Sequence, residues 1–222
     1  MMHIIAILLF LLILFGPSLW VKMVIRSHST DRSDYPGTGG EFARHILDQL
    51  GLQHVKVETT SRGDHYDPID KAVRLLPDRY NGRSLSAVTI AAHEVGHAIQ
   101  DRDGYPPFVR RLSLVKFEQI MIRIVQGLAV LTLFGSIMQG IPLLSVVIFF
   151  LFMFAGVLSF AVRMINLNVE FDASFSKALP ILENGYLPPS DIEPAKSVLR
   201  AAALTYLSGA LLTVLRLVFL RR

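Results

Sequence analysis

The sequence predicts a small α+β domain seated on a base of about four membrane helices, with the whole chain mostly α-helical. Three observations lead to this prediction. The chain of 222 residues is 52% hydrophobic and 18% charged, which is more apolar than is usual for a soluble protein. Apolar runs long enough to cross a bilayer can be placed at four positions. One polar stretch, roughly residues 27–108, separates the first run from the second and can form a folded unit.

The first element is an apolar run at Ile4–Val21 without Lys, Arg, Asp or Glu. Its length suffices to cross a bilayer. It lacks a basic region before it and a small-residue cleavage site after it, so we expect an uncleaved anchor rather than a removed signal peptide. The predicted N-terminal transmembrane segment is 1–26.

The second segment, 27–113, is predicted to form the folded domain. In "GGEFARHILDQLGL" the apolar residues Phe42, Ile46, Leu47 and Leu50 make a helical stripe that Gly51 closes. "HVKVETT" alternates as a strand, "DHYDP" has the composition of a turn, and "KAVRLLP", residues 71–77, indicates a second strand. "RSLSAVTIAAHEVGHAIQDRDG" then predicts a helix that ends at Gly104.

The remaining segments are a predicted membrane hairpin at 114–165, a helical segment at 166–200 and a C-terminal membrane helix at 201–222. Residues 124–162 carry no charge and are too long for one span, and "QGIP" in their middle predicts a tight turn between two helices. The first arm is long enough only if it begins near Leu114, which brings Glu118 and Arg123 to the interface or the protein interior. In the last helix, Arg216 is expected to extend its side chain to the interface.

Cysteine content and charge exclude several classes of protein. The chain has no cysteine, which excludes disulfide frameworks, cysteine metal sites and cysteine nucleophiles. Its net charge of +4 comes mostly from Lys and Arg beside the apolar runs, where they act as topology signals. We therefore expect contact with the lipid bilayer and not with nucleic acid, while the oligomeric state stays open.

The stretch "AAHEVGHAIQ" places two histidines four positions apart on the predicted helix, with a glutamate directly after the first. Positions i and i+4 share a helix face, so His93 and His97 can direct nitrogens at one ion. Zn²⁺ accepts such imidazoles together with a third protein ligand and a water molecule. Glu94 lies beside them as a base for that water. The motif predicts a zinc peptidase.

No histidine follows His97, which sets aside the three-histidine zinc proteases, and we predict a carboxylate as the third ligand. Asp101 and Asp103 continue the same helix and cannot fold back onto the ion. Glu118 has a spacing like that of thermolysin-like enzymes, but its setting "KFEQ" lacks their second acid. Glu170 follows the third predicted span, and a hairpin returns it to the side of His93, so we predict Glu170. The full set of downstream candidates is Asp101, Asp103, Glu118, Glu170, Asp172, Glu183, Asp191 and Glu193.

Several blocks resemble, in the same order, those of the YugP-like neutral zinc metallopeptidases of bacterial membranes: "GTGGEFARHILDQLGL", "DHYDP", "KAVRL", "AAHEVGHAIQ", "VEFDAS" and "AAALTY". The resemblance implies a zincin-like metalloprotease domain, zinc ligands at His93, His97 and Glu170, and a catalytic base at Glu94. "EFDAS" is also similar to the E-F-x-A-D block of heat-shock and prenyl-protein membrane proteases. Their orienting aspartate falls at Ser174 here, so that role is expected to pass to Asp172.

Hydrolysis of an amide also needs a hydrogen-bond donor where negative charge develops on the carbonyl oxygen. His65 or Tyr66 of "DHYDP" are candidates, although a turn held by its own side chains explains this block equally well. Tyr206 is a candidate if the last helix passes the metal.

The sequence thus predicts an integral-membrane zinc endopeptidase whose protein or peptide substrate lies extended against the 71–77 strand, with membrane proteins among the candidate substrates. The alternative is a non-catalytic membrane adaptor with structural zinc. That alternative has no need of Glu94, and structural sites usually have four protein ligands. Basic residues cluster beside the spans on the catalytic side, so we expect a multi-pass protein of the plasma membrane with a cytoplasmic catalytic domain. Arg221 and Arg222 oppose this orientation if the last helix crosses fully.

Overall fold

The structure, a computed structural model, describes residues 2–139 and 142–219, apart from the side chains of residues 2–10, 13, 14, 129, 131–139, 142–145, 148 and 206–219. Three short strands form one sheet, and two π-helical segments, Asp172–Ala178 and Leu182–Tyr186, flank the short helix Leu179–Ile181. The strands are β1 (Lys56–Thr59), β2 (His65–Asp67) and β3 (Ala72–Leu75). The helices are α1 (Met2–Ser27), α2 (Gly39–Gln49), α3 (Pro77–Tyr80), α4 (Leu85–Arg102), α5 (Pro106–Gln139), α6 (Pro142–Phe171), α7 (Leu179–Ile181) and α8 (Pro189–Phe219). The prediction of a mostly helical chain with a small sheet is confirmed.

The sheet has the order β1-β3-β2, with β1 parallel and β2 antiparallel to β3. The prediction of a turn at "DHYDP" is wrong for its middle residues, because β2 is part of the ladder and buries Tyr66. A peptide bound along the 71–77 strand is also excluded, since β3 is hydrogen-bonded on both sides. Lys71 closes the β2–β3 turn with a φ of 49°, a conformation that costs a residue with a side chain some energy.

Helix α4 is the centre of the domain. Ser84 caps its first turn through a hydrogen bond from the Ala87 N–H, and every residue from Leu85 to Gln100 is buried. A helix that is buried on all sides needs neighbours all round, and α4 packs against α2, β2, β3, α8 and the segment Asp172–Ala178. Helix α2 begins with a capping box formed by Thr38 and Glu41, packs against α4 and buries Phe42, Ile46 and Leu47 of the predicted apolar stripe.

Helices α5 and α6 are 34 and 30 residues long and pack along each other. Helix α5 ends at Gln139 and α6 begins at Pro142; the two central residues of the predicted turn, 140 and 141, lie outside the described part of the chain. Both helices continue without a break across the predicted segment boundaries 113/114 and 165/166. Helices α5 and α6 therefore run without interruption from the domain into the predicted hairpin.

Among the residues whose side chains are described, one helical stretch, Phe149–Tyr186, is long and apolar enough to cross a membrane by length and composition. Large apolar side chains on it are widely exposed, for example Phe149 at 60%, Phe150 at 65% and Val157 at 64%. Helix α1 likewise exposes Leu12 and Leu19 and packs along α8. An exposed apolar surface of this extent marks a site of contact with lipid or protein.

Candidate metal centre

The three residues of the helical motif lie within two turns of α4 and are all buried. His93, Glu94 and His97 are 4%, 6% and 5% exposed. The two imidazole rings lie edge to face with their centroids 4.7 Å apart. The spacing of four residues therefore brings both rings to one face, as predicted.

Glu170, near the end of α6, completes the group. Its carboxylate is 1% exposed, and its Oε2 atom lies 3.2 Å from the Nε2 atoms of both His93 and His97. One ligand atom from each of the three residues lies within 4.8 Å of the others, so the group can hold a metal ion. The alternative candidate Glu118 lies elsewhere, between α5 and α6, where it accepts a hydrogen bond from Ser159.

The hydrogen bonds around the two histidines set the tautomer of each ring, and that tautomer suits the binding of a cation. The Ser174 hydroxyl donates to the Leu199 carbonyl, so its oxygen accepts from Nδ1–H of His93 at 2.9 Å. The Gln100 amide nitrogen donates to Val169 and Asp172, so its oxygen accepts from Nδ1–H of His97 at 2.9 Å. Each ring thus carries its proton on Nδ1 and presents the lone pair of Nε2. Two lone pairs and a buried carboxylate face one point, which is unfavourable without a positive ion.

These contacts refine the predicted role of Asp172. Its carboxylate accepts a hydrogen bond from the Gln100 amide, and the oxygen of that amide contacts His97, so Asp172 acts on that histidine through Gln100. Ser174 occupies the place where related membrane proteases carry the aspartate, and it contacts His93 itself. Gln100 was missed by the sequence reasoning, although its position three residues after His97 puts both on the same helix face.

Arg111 is a second residue that the sequence reasoning missed. Its guanidinium lies 2.6 Å from Oε1 of Glu170, while the other carboxylate oxygen faces the histidines. Arg111 is on α5, Glu170 on α6 and the histidines on α4. This ion pair therefore connects the start of the long hairpin directly to the candidate metal centre.

Glu94 has the electrostatic character of a proton-transfer group. The pKa of Glu94 is raised to about 8, chiefly because the carboxyl group is buried; the negative charges of Asp64 and Glu170 contribute to the rise, and His93 and Arg111 oppose it. A carboxyl group with a pKa near neutrality can both take up and release a proton at physiological pH. The pKa refers to the protein without a metal ion.

Of the residues predicted to donate a hydrogen bond to the oxyanion, two contact other groups, and the side chain of the third is outside the described residues. The Tyr66 hydroxyl donates to Asp101 at 2.6 Å, and Nδ1 of His65 is 2.8 Å from the Gly63 carbonyl. Tyr206 belongs to α8, but its side chain is outside the described residues. Neither Tyr66 nor Nδ1 of His65 is directed at the metal centre in this structure.

Gly96 permits the close approach of α4 to the segment that follows Glu170. A Cβ atom on Gly96 would lie 2.5 Å from the Ala173 carbonyl oxygen, which is far inside van der Waals contact. The glycine between the two histidines is therefore required by packing and not by a turn.

Comparison with known proteins agrees with this geometry. Residues 3–221 match the model of a family described as "Putative neutral zinc metallopeptidase". The chain is 35% identical to "Putative membrane protease YugP" of Bacillus subtilis (strain 168), over 91% of this chain and 89% of the relative. No solved structure matches. The resemblance seen in the sequence blocks is confirmed, and the chain belongs to this family of neutral zinc metallopeptidases.

Proposed function

We propose that the chain is an integral-membrane, zinc-dependent endopeptidase that hydrolyses peptide bonds with an activated water molecule. The observation that carries this proposal is the convergence of two Nε2 lone pairs and the Glu170 carboxylate beside the buried Glu94. His93, His97 and Glu170 are the ligands of the ion. Two imidazoles and one carboxylate leave a fourth position for water, which is the composition of a catalytic zinc site.

A zinc ion bound there supplies a Lewis acid that makes a water molecule acidic and polarises the substrate carbonyl. Glu94 takes the proton of the attacking water and passes it to the leaving amine nitrogen. Ser174 and Gln100 hold the imidazoles in the tautomer and orientation that ligation requires. Arg111 holds Oε1 of Glu170, which leaves Oε2 facing the Nε2 atoms of the two histidines, where it would serve as a ligand.

We place the extended substrate along β2. This strand is at the edge of the sheet, so one side of its backbone is not used by β3. It contacts α4, and Asp64 directly before it is close enough to Glu94 to influence its pKa. A peptide that pairs with an edge strand is held by main-chain hydrogen bonds and can be read side chain by side chain.

The second candidate function is a non-catalytic membrane adaptor with structural zinc. A structural site usually has four protein ligands, whereas the group found among the described residues has three. The adaptor also gives no reason to bury Glu94 at 6% exposure next to the ligands. Both observations favour the peptidase.

The decisive comparison is between the parent protein and Glu94→Gln, each purified in detergent and loaded with zinc. Both should bind one zinc ion per chain, because Glu94 is not a ligand. Only the parent should hydrolyse a casein-type or membrane-protein substrate, since the amide cannot accept the proton. Equal hydrolysis by the two proteins would refute the role of Glu94, and no hydrolysis by a zinc-loaded parent would favour the adaptor.

We further propose that the protein crosses the plasma membrane about four times. The spans are α1, the two arms of the α5–α6 hairpin within the uncharged run 124–162, and the end of α8. The catalytic domain then lies in the cytoplasm. The uncharged run 124–162 and the basic residues beside it support this orientation. Since the chain has no cysteine, single cysteines can be introduced and labelled. A cysteine at Ser61 should resist a membrane-impermeant reagent in intact cells, and one at Gln139 should react. The reverse pattern would place the catalytic domain outside.

A further inference from the structure

Two ionic contacts join α5 to α6 at defined distances from the facing ends of these helices. Arg111 lies 2.6 Å from Glu170, and Arg163 lies 3.7 Å from Glu118. The facing ends are Gln139 of α5 and Pro142 of α6. Arg111 and Glu170 are each 28 residues from the facing end of their own helix, and Glu118 and Arg163 are each 21 residues from it. The antiparallel helices are therefore in register, and the contacts define two levels along the hairpin.

The rise of an α-helix converts these levels into heights. At 1.5 Å per residue the Glu118–Arg163 level lies about 32 Å from the facing ends of the helices, close to the roughly 30 Å thickness of the hydrocarbon layer. The run 124–162 below it has no charged residue. Arg123 lies just outside this run, and its long side chain can reach up to the headgroups. The Glu118–Arg163 level thus marks the edge of the hydrocarbon layer. Glu170 lies about 10 Å beyond this edge, on the side of the catalytic domain.

Helix α1 gives an independent height. Trp20 is 40% exposed, and Lys22 is the first lysine or arginine of the chain, a combination typical of the interface. The His28 carbonyl, six residues beyond Lys22, accepts a hydrogen bond from the Ser86 N–H in the first turn of α4. The start of α4 is therefore about 9 Å along the α1 direction from the interface marked by Lys22, so the domain begins close to the membrane surface.

The apolar surface of the hairpin continues up to the level of the metal centre. Val109 and Leu112 flank Arg111 and are 50% and 38% exposed, and Phe171, directly after Glu170, is 38% exposed. Exposed Arg110 and Ser113 lie beside them, so this level presents apolar side chains together with polar ones. The apolar residues can contact a chain that emerges from the bilayer beside the hairpin.

We infer that the substrate is the segment of an integral membrane protein that directly follows a membrane helix, cut a few residues beyond the hydrocarbon edge. This inference rests on the proposed peptidase and its membrane hairpin. A span of about 10–15 Å corresponds to about 3–5 residues of extended chain or to about 4–8 residues of flexible chain. The two ionic contacts fix this height, so the enzyme selects the cleavage site by its distance from the membrane.

The experiment uses the zinc-loaded protein in phosphatidylcholine–phosphatidylglycerol liposomes. Substrates consist of one membrane helix, a Gly-Ser spacer of about 0, 5, 12 or 25 residues and a segment that the enzyme cleaves as part of casein. Cleavage should be fastest with the spacer of about 5 residues, because effective concentration is maximal when the spacer matches the span. A maximum at about 25 residues, or the same rate for all spacers, would overturn the inference.

Failure of the proposed peptidase activity can be distinguished from failure of the inference about the cleavage site. If the parent also leaves casein intact, the peptidase is wrong, and the height is then decided by a probe that needs no substrate. A fluorophore at Phe171→Cys should be quenched by a lipid with a nitroxide headgroup. One at Ser190→Cys, about 14 Å along α8 from Leu199, should be quenched little. Equal quenching at the two positions would overturn the assigned height.

Discussion

The substitution Gly96→Ala tests how the ligands are held together. A new Cβ would lie 2.5 Å from the Ala173 carbonyl oxygen, whereas ordinary contacts begin at 3.4 Å, so the segment Asp172–Ala178 must move by about 0.9 Å. Overpacking of this kind costs about 1–3 kcal/mol, and alanine returns at most about 1 kcal/mol through its higher helix propensity. Because Glu170 directly precedes this segment, we expect zinc affinity to fall by about 10–100-fold.

The assay is competition for zinc with a chromophoric chelator, together with thermal unfolding in detergent. Gly127→Ala is the matched control, since Gly127 is also helical and a Cβ there would meet nothing within 4 Å. The control should retain the zinc affinity of the parent. If Gly96→Ala also retains it and unfolds at the same temperature, the contact with Ala173 does not position the ligand and the reasoning is refuted.

Three further predictions concern the surroundings of the ion. Glu170→Ala should reduce zinc affinity by more than about 100-fold, whereas Glu118→Ala should leave it unchanged; equilibrium dialysis measures both, and the opposite ranking would move the ligand to Glu118. Gln100→Leu removes the acceptor for Nδ1–H of His97 and should weaken zinc binding by about 10–100-fold, while Gln100→Glu keeps an acceptor and should lose less; equal affinities in chelator competition would count against this role. Arg111→Met leaves the buried Glu170 carboxylate without its cation and should destabilise the zinc-free protein by about 3–5 kcal/mol, but the zinc-loaded protein by less. Denaturant unfolding with and without zinc measures the difference, and equal losses would contradict the ion-pair role.

The parts of the site that follow local rules could be predicted from the sequence. His93 and His97 lie on one helix, so their spacing alone places them on one face. Glu170 was reached by a topological argument, because a hairpin must return the chain to the side that it left. Both arguments depend on the helical periodicity and on the absence of charge between residues 124 and 162, which are strong signals.

The parts that depend on packing between distant segments could not be predicted. Arg111 is 59 residues from Glu170 in the chain, and no local pattern joins them. Ser174 was seen only as a departure from a related motif, although its hydroxyl contacts His93. The strand β2 has three residues, which is too short for an alternating pattern to distinguish it from a turn.

The central claim is that His93, His97 and Glu170 together bind the ion, and zinc K-edge absorption spectroscopy of the protein loaded with one zinc ion tests it most directly. The spectrum of the parent should show a shell of nitrogen and oxygen with the multiple-scattering signature of two imidazoles. His93→Ala should lose part of that signature, and Glu170→Ala should lose one oxygen ligand while keeping both imidazoles. A zinc shell without imidazole, or one that is the same in the parent and in both variants, would contradict the account.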